Sequence, residues 1–340
     1  MLPAGTAHKF TEEVIPLARE LLGTLDPWAR LTIPQMQSVV DRVFKPPLVQ
    51  GKAGPSLYKV TADNEWSGLL GYRTTDWHNN FAKGAVKAME ALIKVHKARP
   101  SEKPGEELDP AQSRSDGGAV EPDPTQGESD VDAAEELAAT EEPIAAEEPA
   151  KWRALPLDTP EGRAKFVEWA FEESGDTRAF HWETWGHGVK KEGFFFSYLI
   201  LYTFHAHLAV LDQIPAKYAH STVHPYSALL LAVQAVERNL KYTSTGDFKA
   251  PPGLPGQFSF DNYGDIKERV SATKNRLTRR TTKFLAVLKG WDADQWEEFL
   301  ESSAELREQQ GRGAPSSRGT SEVEDMEDTE EEEEVVVVSD

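Results

Sequence analysis

The histidines are the side chains of this chain best suited to metal binding or acid–base chemistry. Six of the nine lie close together in the sequence: His181, His187, His205, His207, His220 and His224. His181-Trp182-Glu183 has the His-x-Glu pattern of zinc deaminases, whose zinc ion also needs cysteine ligands further along the chain. The chain contains no cysteine, so the sequence excludes this kind of site together with disulfides and thiol catalysis.

The spacing of the other histidines does not favour a metal site either. His220 and His224 are four residues apart, but Pro225 indicates that a helix begins after them, so they would not share a helical face. His205 and His207 would point to different faces of a helix. We therefore predict structural histidines, with no metal ion and no cofactor, and retain a metal site as the alternative.

Two further catalytic patterns are absent from the sequence. Gly253-Leu254-Pro255-Gly256 lacks the Lys-Ser/Thr pair and the preceding strand of a phosphate-binding loop, and no Gly-x-Ser-x-Gly elbow is present. Trp182 and Trp185 could line a ligand pocket or fill the space between packed helices, and we favour core packing. We predict no catalytic residue and favour a non-enzymatic protein over a metal-dependent or hydrolytic enzyme.

A basic stretch in the second half of the chain could bind nucleic acid. We predict one helix over residues 261–289, with a basic surface formed by Arg269, Lys274, Arg276, Arg279, Arg280 and Lys283. This surface could track phosphates or act in nuclear import. The alternative is a solvated helix face, since residues 151–300 carry a net charge of only +1 and contain no base-reading motif.

The most specific pattern is an apolar core with an acidic flank near residue 340. Val335, Val336, Val337 and Val338 follow Glu331, Glu332, Glu333 and Glu334, and Ser339 comes next. Four β-branched residues favour an extended backbone, which could add to the exposed sheet edge of a partner. The pattern resembles the SUMO-interacting motif, with the valines as its core and the glutamates and Ser339 as its electrostatic flank.

Two interpretations of this valine segment are open. A run of glutamate followed by a run of valine is compositionally simple, and acidic residues also protect apolar segments against aggregation. We favour the binding motif because its core, its flank and its position beyond the helical blocks agree. The predicted partners are SUMO or SUMO-modified proteins in the nucleus, with the cytoplasm as the alternative location.

Charge divides the chain into four parts. The net charge is −20, but residues 101–150 hold 16 acidic against 2 basic residues, and residues 301–340 hold 14 against 3. The remainder is slightly basic. We therefore predict helical blocks at 1–98 and 151–310, a disordered acidic linker at 99–150 and a disordered acidic tail at 311–340.

Apolar residues at helical spacing predict a mainly α fold. In the first block we expect helices at Phe10–Leu22, after Thr32 and from about Asp76. In the second block we expect helices after Thr159, over 193–214, after Pro225, over 261–289 and after Asp292. The helical period places Gln234 on the solvent face of the helix after Pro225. Gln295, three residues after Asp292, predicts a capping box for the last helix.

One of these helices has a second interpretation. Residues 194–211 carry no formal charge and are flanked by Lys190-Lys191 and Asp212, so a membrane span is conceivable. The segment is short for a bilayer and contains four polar residues, including His205 and His207. We therefore favour a buried central helix and predict no membrane partner.

Several short segments resemble an expanded family of unknown function from mushroom-forming (basidiomycete) fungi, often found near mobile elements. In the first block they are Leu31-Thr32, Val40 to Phe44, Gly71 to Arg73 and Trp77 to Ala82, although the family would have Arg where His78 stands. In the second block they are Thr245-Gly246, Phe258-Ser259, Asn262 to Asp265 and Arg279 to Phe284. The resemblance implies a helical fold and a eukaryotic intracellular setting, and it carries no activity.

Two functional hypotheses follow. The leading one is a non-enzymatic nuclear interaction or scaffold protein that recruits SUMO or SUMO-modified partners. The alternative is a nucleic-acid-associated protein, linked to a mobile element, that acts through the basic surface of residues 261–289.

Overall fold

Helices dominate the structure, which confirms the mainly α fold class. The computed structural model describes residues 2–45, 48–49, 52–98, 153, 155–185, 190–269, 275–278 and 282–313. The predicted linker at 99–150 and the tail residues 314–340 lie outside the described residues. The predicted division into two blocks and two acidic segments stays a prediction.

The first block contains four helices and one short hairpin in its described part. They are α1 (Ala7–Lys9), a π-helical turn (Phe10–Val14), α2 (Ile15–Gly23), α3 (Ile33–Val43), β1 (Leu48–Val49), β2 (Lys52–Ala53) and α4 (Glu65–Ala98). The π-helical turn ends two residues before Pro16, which cannot donate the backbone hydrogen bond of a regular α-helix. The predicted cap of α3 is confirmed, because Thr32 and Gln35 form a reciprocal capping box.

The long helix α4 begins eleven residues earlier than its sequence pattern predicts. Asn64 caps it by accepting a hydrogen bond from the Ser67 backbone at 3.4 Å. Trp66 and Leu70 then extend the buried stripe by about three turns before Trp77. Gly68 and Gly71 lower the helix propensity of these turns, so burial rather than propensity holds them.

The second block contains α5 (Pro160–Ala170), β3 (Glu173–Ser174), β4 (Thr177–Arg178), β5 (Trp182–Thr184), β6 (Glu192–Phe194), α6 (Tyr198–Asp212), α7 (Tyr226–Tyr242), α8 (Phe260–Tyr263), β7 (Ile266–Arg269), β8 (Asn275–Thr278), α9 (Leu285–Lys289) and α10 (Ala293–Gly313). Each pair β1–β2, β3–β4, β5–β6 and β7–β8 forms a two-stranded antiparallel sheet. The predicted cap of α5 is confirmed, because the Thr159 hydroxyl accepts the Gly162 N–H at 3.0 Å.

The two blocks pack against each other around α4. This helix contacts both α6 and α7, while α2 also contacts α4, α6 and α7. Trp77 and Phe81 of α4 and Phe204 of α6 are fully buried in one continuous hydrophobic core. Two parts of the sequence separated by residues 99–150 therefore share one interior.

The apolar segment 194–211 forms most of α6, and the prediction of a buried central helix is confirmed. Ile200, Phe204 and Thr203 have no exposed surface. The helix has 15 residues, and none of the helices in the described ranges combines the length and apolarity needed to cross a membrane.

The predicted helix over residues 261–289 is wrong. A four-residue helix, α8, ends at Tyr263, and a hairpin follows in which Glu268 pairs with Arg276 and Arg269 pairs with Asn275. In the described part of the stretch, the next helix is α9. Several β-branched and polar residues between Ile266 and Thr282 lower the helix propensity of this stretch, and basic residues at helical spacing gave it no apolar stripe to bury.

The N-terminus of α10 has a capping box whose contribution to stability can be measured. Asp292 accepts the Gln295 N–H at 2.9 Å, while the Gln295 side chain accepts the Asp292 N–H at 3.1 Å, which confirms the predicted capping box. We expect Asp292→Ala to lower the free energy of unfolding by about 1 kcal/mol, because the first-turn N–H group loses its acceptor. Urea unfolding would measure the change, with Asp294→Ala as the control that leaves the cap intact. Equal losses in the two variants would contradict the cap.

Candidate binding cleft between the two helical blocks

The residues singled out by the sequence do not form one site in the described part of the chain. Glu331 to Glu334, Val335 to Val338 and Ser339 lie outside the described residues, as do Lys274, Arg279 and Arg280. The backbones of Arg269 and Arg276 lie in β7 and β8. Lys283 is exposed, with its Nζ 4.5 Å from the ring centroid of Phe284. Nucleic-acid binding stays a prediction, without the helix that was expected to carry it.

Three of the clustered histidines are parts of the core or its edge. Arg178 donates its backbone N–H to Nδ1 of His181 at 3.0 Å, and burial lowers the His181 pKa to about 3. His205 lies 3.0 Å from the Ser303 carbonyl, and burial lowers its pKa to about 4. His207 is fully buried, which lowers its pKa to about 3. All three are neutral at pH 7.

The remaining clustered histidines lie at the surface or beyond the described ranges. His220 Nδ1 is 3.1 Å from Oε1 of the buried Glu20, and His224 stacks on Trp296 with ring centroids 5.1 Å apart. His187 lies outside the described residues. Among the residues that the structure describes, no three histidine or carboxylate side chains come together as a metal-binding group.

The two tryptophans of the β5 region are packed rather than open to a ligand. Trp185 is buried and its Nε1 lies 3.4 Å from a Glu172 carboxylate oxygen. Trp182 contacts Phe194 on the paired strand β6, with ring centroids 4.9 Å apart. Trp185 is thus buried and Trp182 half-buried, but both lie on or directly after the short strand β5 and not between packed helices.

A cleft of about 1450 Å³ lies where the two blocks meet. The first block contributes the loop from Trp28 to Leu31 and one face of α4 between Ser67 and Val86. The second block contributes Arg238 and residues of the 251–261 segment. Since neither block supplies more than one side, the cleft exists only when the blocks are packed together.

Trp28 forms the floor of the cleft and is held by contacts from the second block. Its indole Nε1 donates to Oε1 of Gln234 at 2.9 Å, and its ring lies 4.8 Å from that of Phe258. The backbone of Trp28 has φ = +63°, a conformation that costs free energy for a residue with a side chain. The tertiary contacts of the indole must offset this cost.

For Gln234, the exposure predicted from the helical period is wrong. The helical pattern of α7 predicts that it faces solvent, but it is 5% exposed. Its amide accepts the Trp28 N–H and donates to the Tyr263 carbonyl at 2.9 Å. The prediction was wrong because a second layer, the Trp28 loop and α8, covers the polar side of α7.

His78 completes the floor as a neutral side chain. Its ring centroid lies 5.0 Å from that of Trp28 and 5.2 Å from that of Trp77. Burial lowers the His78 pKa to about 4. The floor is therefore aromatic and uncharged at neutral pH.

The rim of the cleft combines exposed aromatic rings with cations. Tyr72 is 66% exposed and Phe260 is 55% exposed, and both residues line the cleft. Arg30 and Lys83 are exposed at the same rim, and within the described ranges neither makes an ion pair. Asp261 is the acidic residue among the lining side chains.

Arg238 shapes the wall opposite α4. Its Nη2 donates to the Gly256 carbonyl at 2.7 Å, and its guanidinium lies over the rings of Tyr242 and Phe248 at 5.1 and 5.6 Å. These contacts fix the Gly/Pro-rich segment 251–256 against α7. The cleft can thus offer apolar contact in its centre and positive charge at its edge.

No protein-family model, curated protein or solved structure matches this chain. The resemblance to the basidiomycete family stays a prediction. Four of the segments on which it rests contribute lining residues to the cleft: Leu31, Gly71-Tyr72, His78-Asn79 and Phe258-Ser259.

Proposed function

We propose that this chain is a non-enzymatic nuclear interaction protein that recruits SUMO or SUMO-modified partners through residues 331–339. The observation that carries the proposal is the run of four valines directly after four glutamates. Main-chain hydrogen bonds to a sheet edge would provide affinity, and alternate valine side chains would fill a groove in the partner.

The organisation of the chain supports this function. Helix α10 ends at Gly313, and seventeen residues separate it from Glu331. A peptide motif at such a distance from a folded unit can reach a partner without any change in the core. The glutamates would speed association with a basic surface, with the largest effect at low ionic strength.

The test is the affinity of the full chain for SUMO, measured by isothermal titration calorimetry. We expect binding in the micromolar range for the unmodified chain. Replacing Val335 to Val338 with alanine should abolish it, because alanine lacks the branched side chains that fill the groove. Val323→Ala removes a valine from the same acidic region without touching the motif, so it should bind like the unmodified chain. If the chain with four alanines binds SUMO with the same affinity as the unmodified chain, the proposal is wrong.

A further inference from the structure

Two features of this chain complement each other. The cleft between the blocks has exposed aromatic rings and two cations that form no ion pair with any described residue, whereas residues 331–339 combine four valines with four glutamates. We propose that the cleft is an intramolecular docking site for the segment from Glu331 to Ser339, which sequesters this segment from partners. The sequestration rests on the proposed function, whereas the docking does not.

The apolar part of the match combines the exposed aromatic rings of the rim with the aromatic floor of the cleft. Tyr72 and Phe260 expose more than half of their surface beside the Trp28–Phe258 floor. Covering such rings with valine side chains removes apolar surface from water on both partners, which favours association. Docking would bury the aromatic rings and the valine side chains together.

The charged part of the match lies at the rim. Arg30 and Lys83 carry positive charge at neutral pH, and Arg238, although it already donates to Gly256, adds to the same field. Only Asp261 among the lining residues carries the opposite charge. A segment that places glutamates immediately before an apolar core would meet this arrangement with the acids on the rim and the valines inside.

The connection between α10 and the motif is long enough for docking in cis. Seventeen residues in an extended conformation span about 55 Å, whereas a compact unit of about 250 residues has a radius of gyration of about 18 Å. Attachment to the same chain would give an effective concentration in the millimolar range. Even a weak cleft–peptide contact would then be populated.

The docking can be tested by disulfide trapping, because the chain contains no cysteine. Asn79→Cys places a thiol on the lining of the cleft, and Ser339→Cys places one beside the valines. Lys94→Cys is the matched control, an exposed position on α4 about 22 Å further along the helix axis. All variants are oxidised as full chains under the same thiol–disulfide buffer.

We expect the Asn79→Cys and Ser339→Cys pair to form its disulfide about ten times faster than the Lys94→Cys and Ser339→Cys pair. Replacing Val335 to Val338 with alanine should reduce the rate of the first pair to that of the second. Similar rates for the two pairs with the valines intact would overturn the docking. A rate preference that survives the alanine replacement would show that the valines do not carry it, and this result also overturns the proposal.

Sequestration is tested separately by the affinity of the full chain for SUMO. Tyr72→Ala combined with Phe260→Ala should raise this affinity several-fold, because the cleft no longer competes for the valines. Leu57→Ala is the control, since Leu57 is 58% exposed and does not line the cleft. Unchanged SUMO affinity in the cleft variant overturns sequestration. If no variant binds SUMO, the proposed function fails while disulfide trapping still decides the docking.

Discussion

Replacing Phe81 with alanine is expected to lower the free energy of unfolding by about 3–5 kcal/mol, the cost of emptying a large aromatic position in a packed core. Phe81 is fully buried, and its ring lies 5.1 Å from that of the equally buried Trp77. Helix α4, which carries both residues, packs on α6 and α7 of the other block. The cavity would therefore weaken the contact between the blocks, not only the first block.

The measurement is urea unfolding, monitored with one spectroscopic probe in each block. Because the blocks share one core, we expect them to unfold in a single transition that moves to lower urea concentration in both probes. Tyr72→Ala is the control on the same helix, since Tyr72 is 66% exposed and its loss should change stability by no more than about 0.5 kcal/mol. Two separate transitions, with only the first block affected by Phe81→Ala, would contradict the shared core.

Mild acid is expected to destabilise the protein strongly because several histidines are buried in the neutral form. Burial lowers the pKa of His181 and His207 to about 3, and Arg178 and Lys283 further oppose protonation of His181. Nδ1 of His207 has no hydrogen-bond partner within the described residues, so nothing there would compensate a proton. The unfolded chain, with ordinary histidine pKa values near 6.5, binds protons first.

These lowered pKa values determine whether acid stabilises or destabilises the protein, and over which pH range. Each lowered histidine contributes its full stabilisation above about pH 6.5, and this stabilisation is lost as the pH falls towards the folded-state value. Each histidine costs about 1.4 kcal/mol per pH unit in this window. Between pH 6.5 and 4.5 His181 and His207 would together remove about 5 kcal/mol, which is comparable with the whole stability of a typical domain.

Urea midpoints measured from pH 7.5 to 4.5 would test this. His207→Gln should make the stability depend less steeply on pH, whatever its effect on stability at pH 7. The exposed His8 provides the control, and His8→Gln should leave the slope unchanged. A slope that is the same in all three proteins would contradict a role for buried histidine in acid sensitivity.

Local patterns in the sequence correctly predict several helices and their starts. Thr32, Thr159 and Asp292 each cap the helix that their spacing predicts, because a cap depends only on residues within one turn. The stripe from Trp77 to Leu92 is buried as the 3.6-residue period requires. Most of the uncharged segment 194–211 lies in the central helix α6, which begins at Tyr198.

Two predictions made from local sequence patterns are wrong. Basic residues at helical spacing predicted a helix over 261–289, where the structure has α8, the hairpin β7–β8 and α9. The polar residue Gln234 was expected at the surface, yet it holds Trp28 at the floor of the cleft. In both cases the observed structure depends on contacts with residues outside the local sequence pattern.

The sequence alone determined the charge division, the absence of cysteine chemistry and the acid-flanked valines, because these are properties of composition and order. Only the tertiary structure decided that the two blocks share a core and that their junction forms a cleft of about 1450 Å³. The reason is physical, since Trp28 and Gln234 are 206 positions apart and no local period links them. The cleft depends on how α4 packs on α6 and α7, which is a property of the assembled fold.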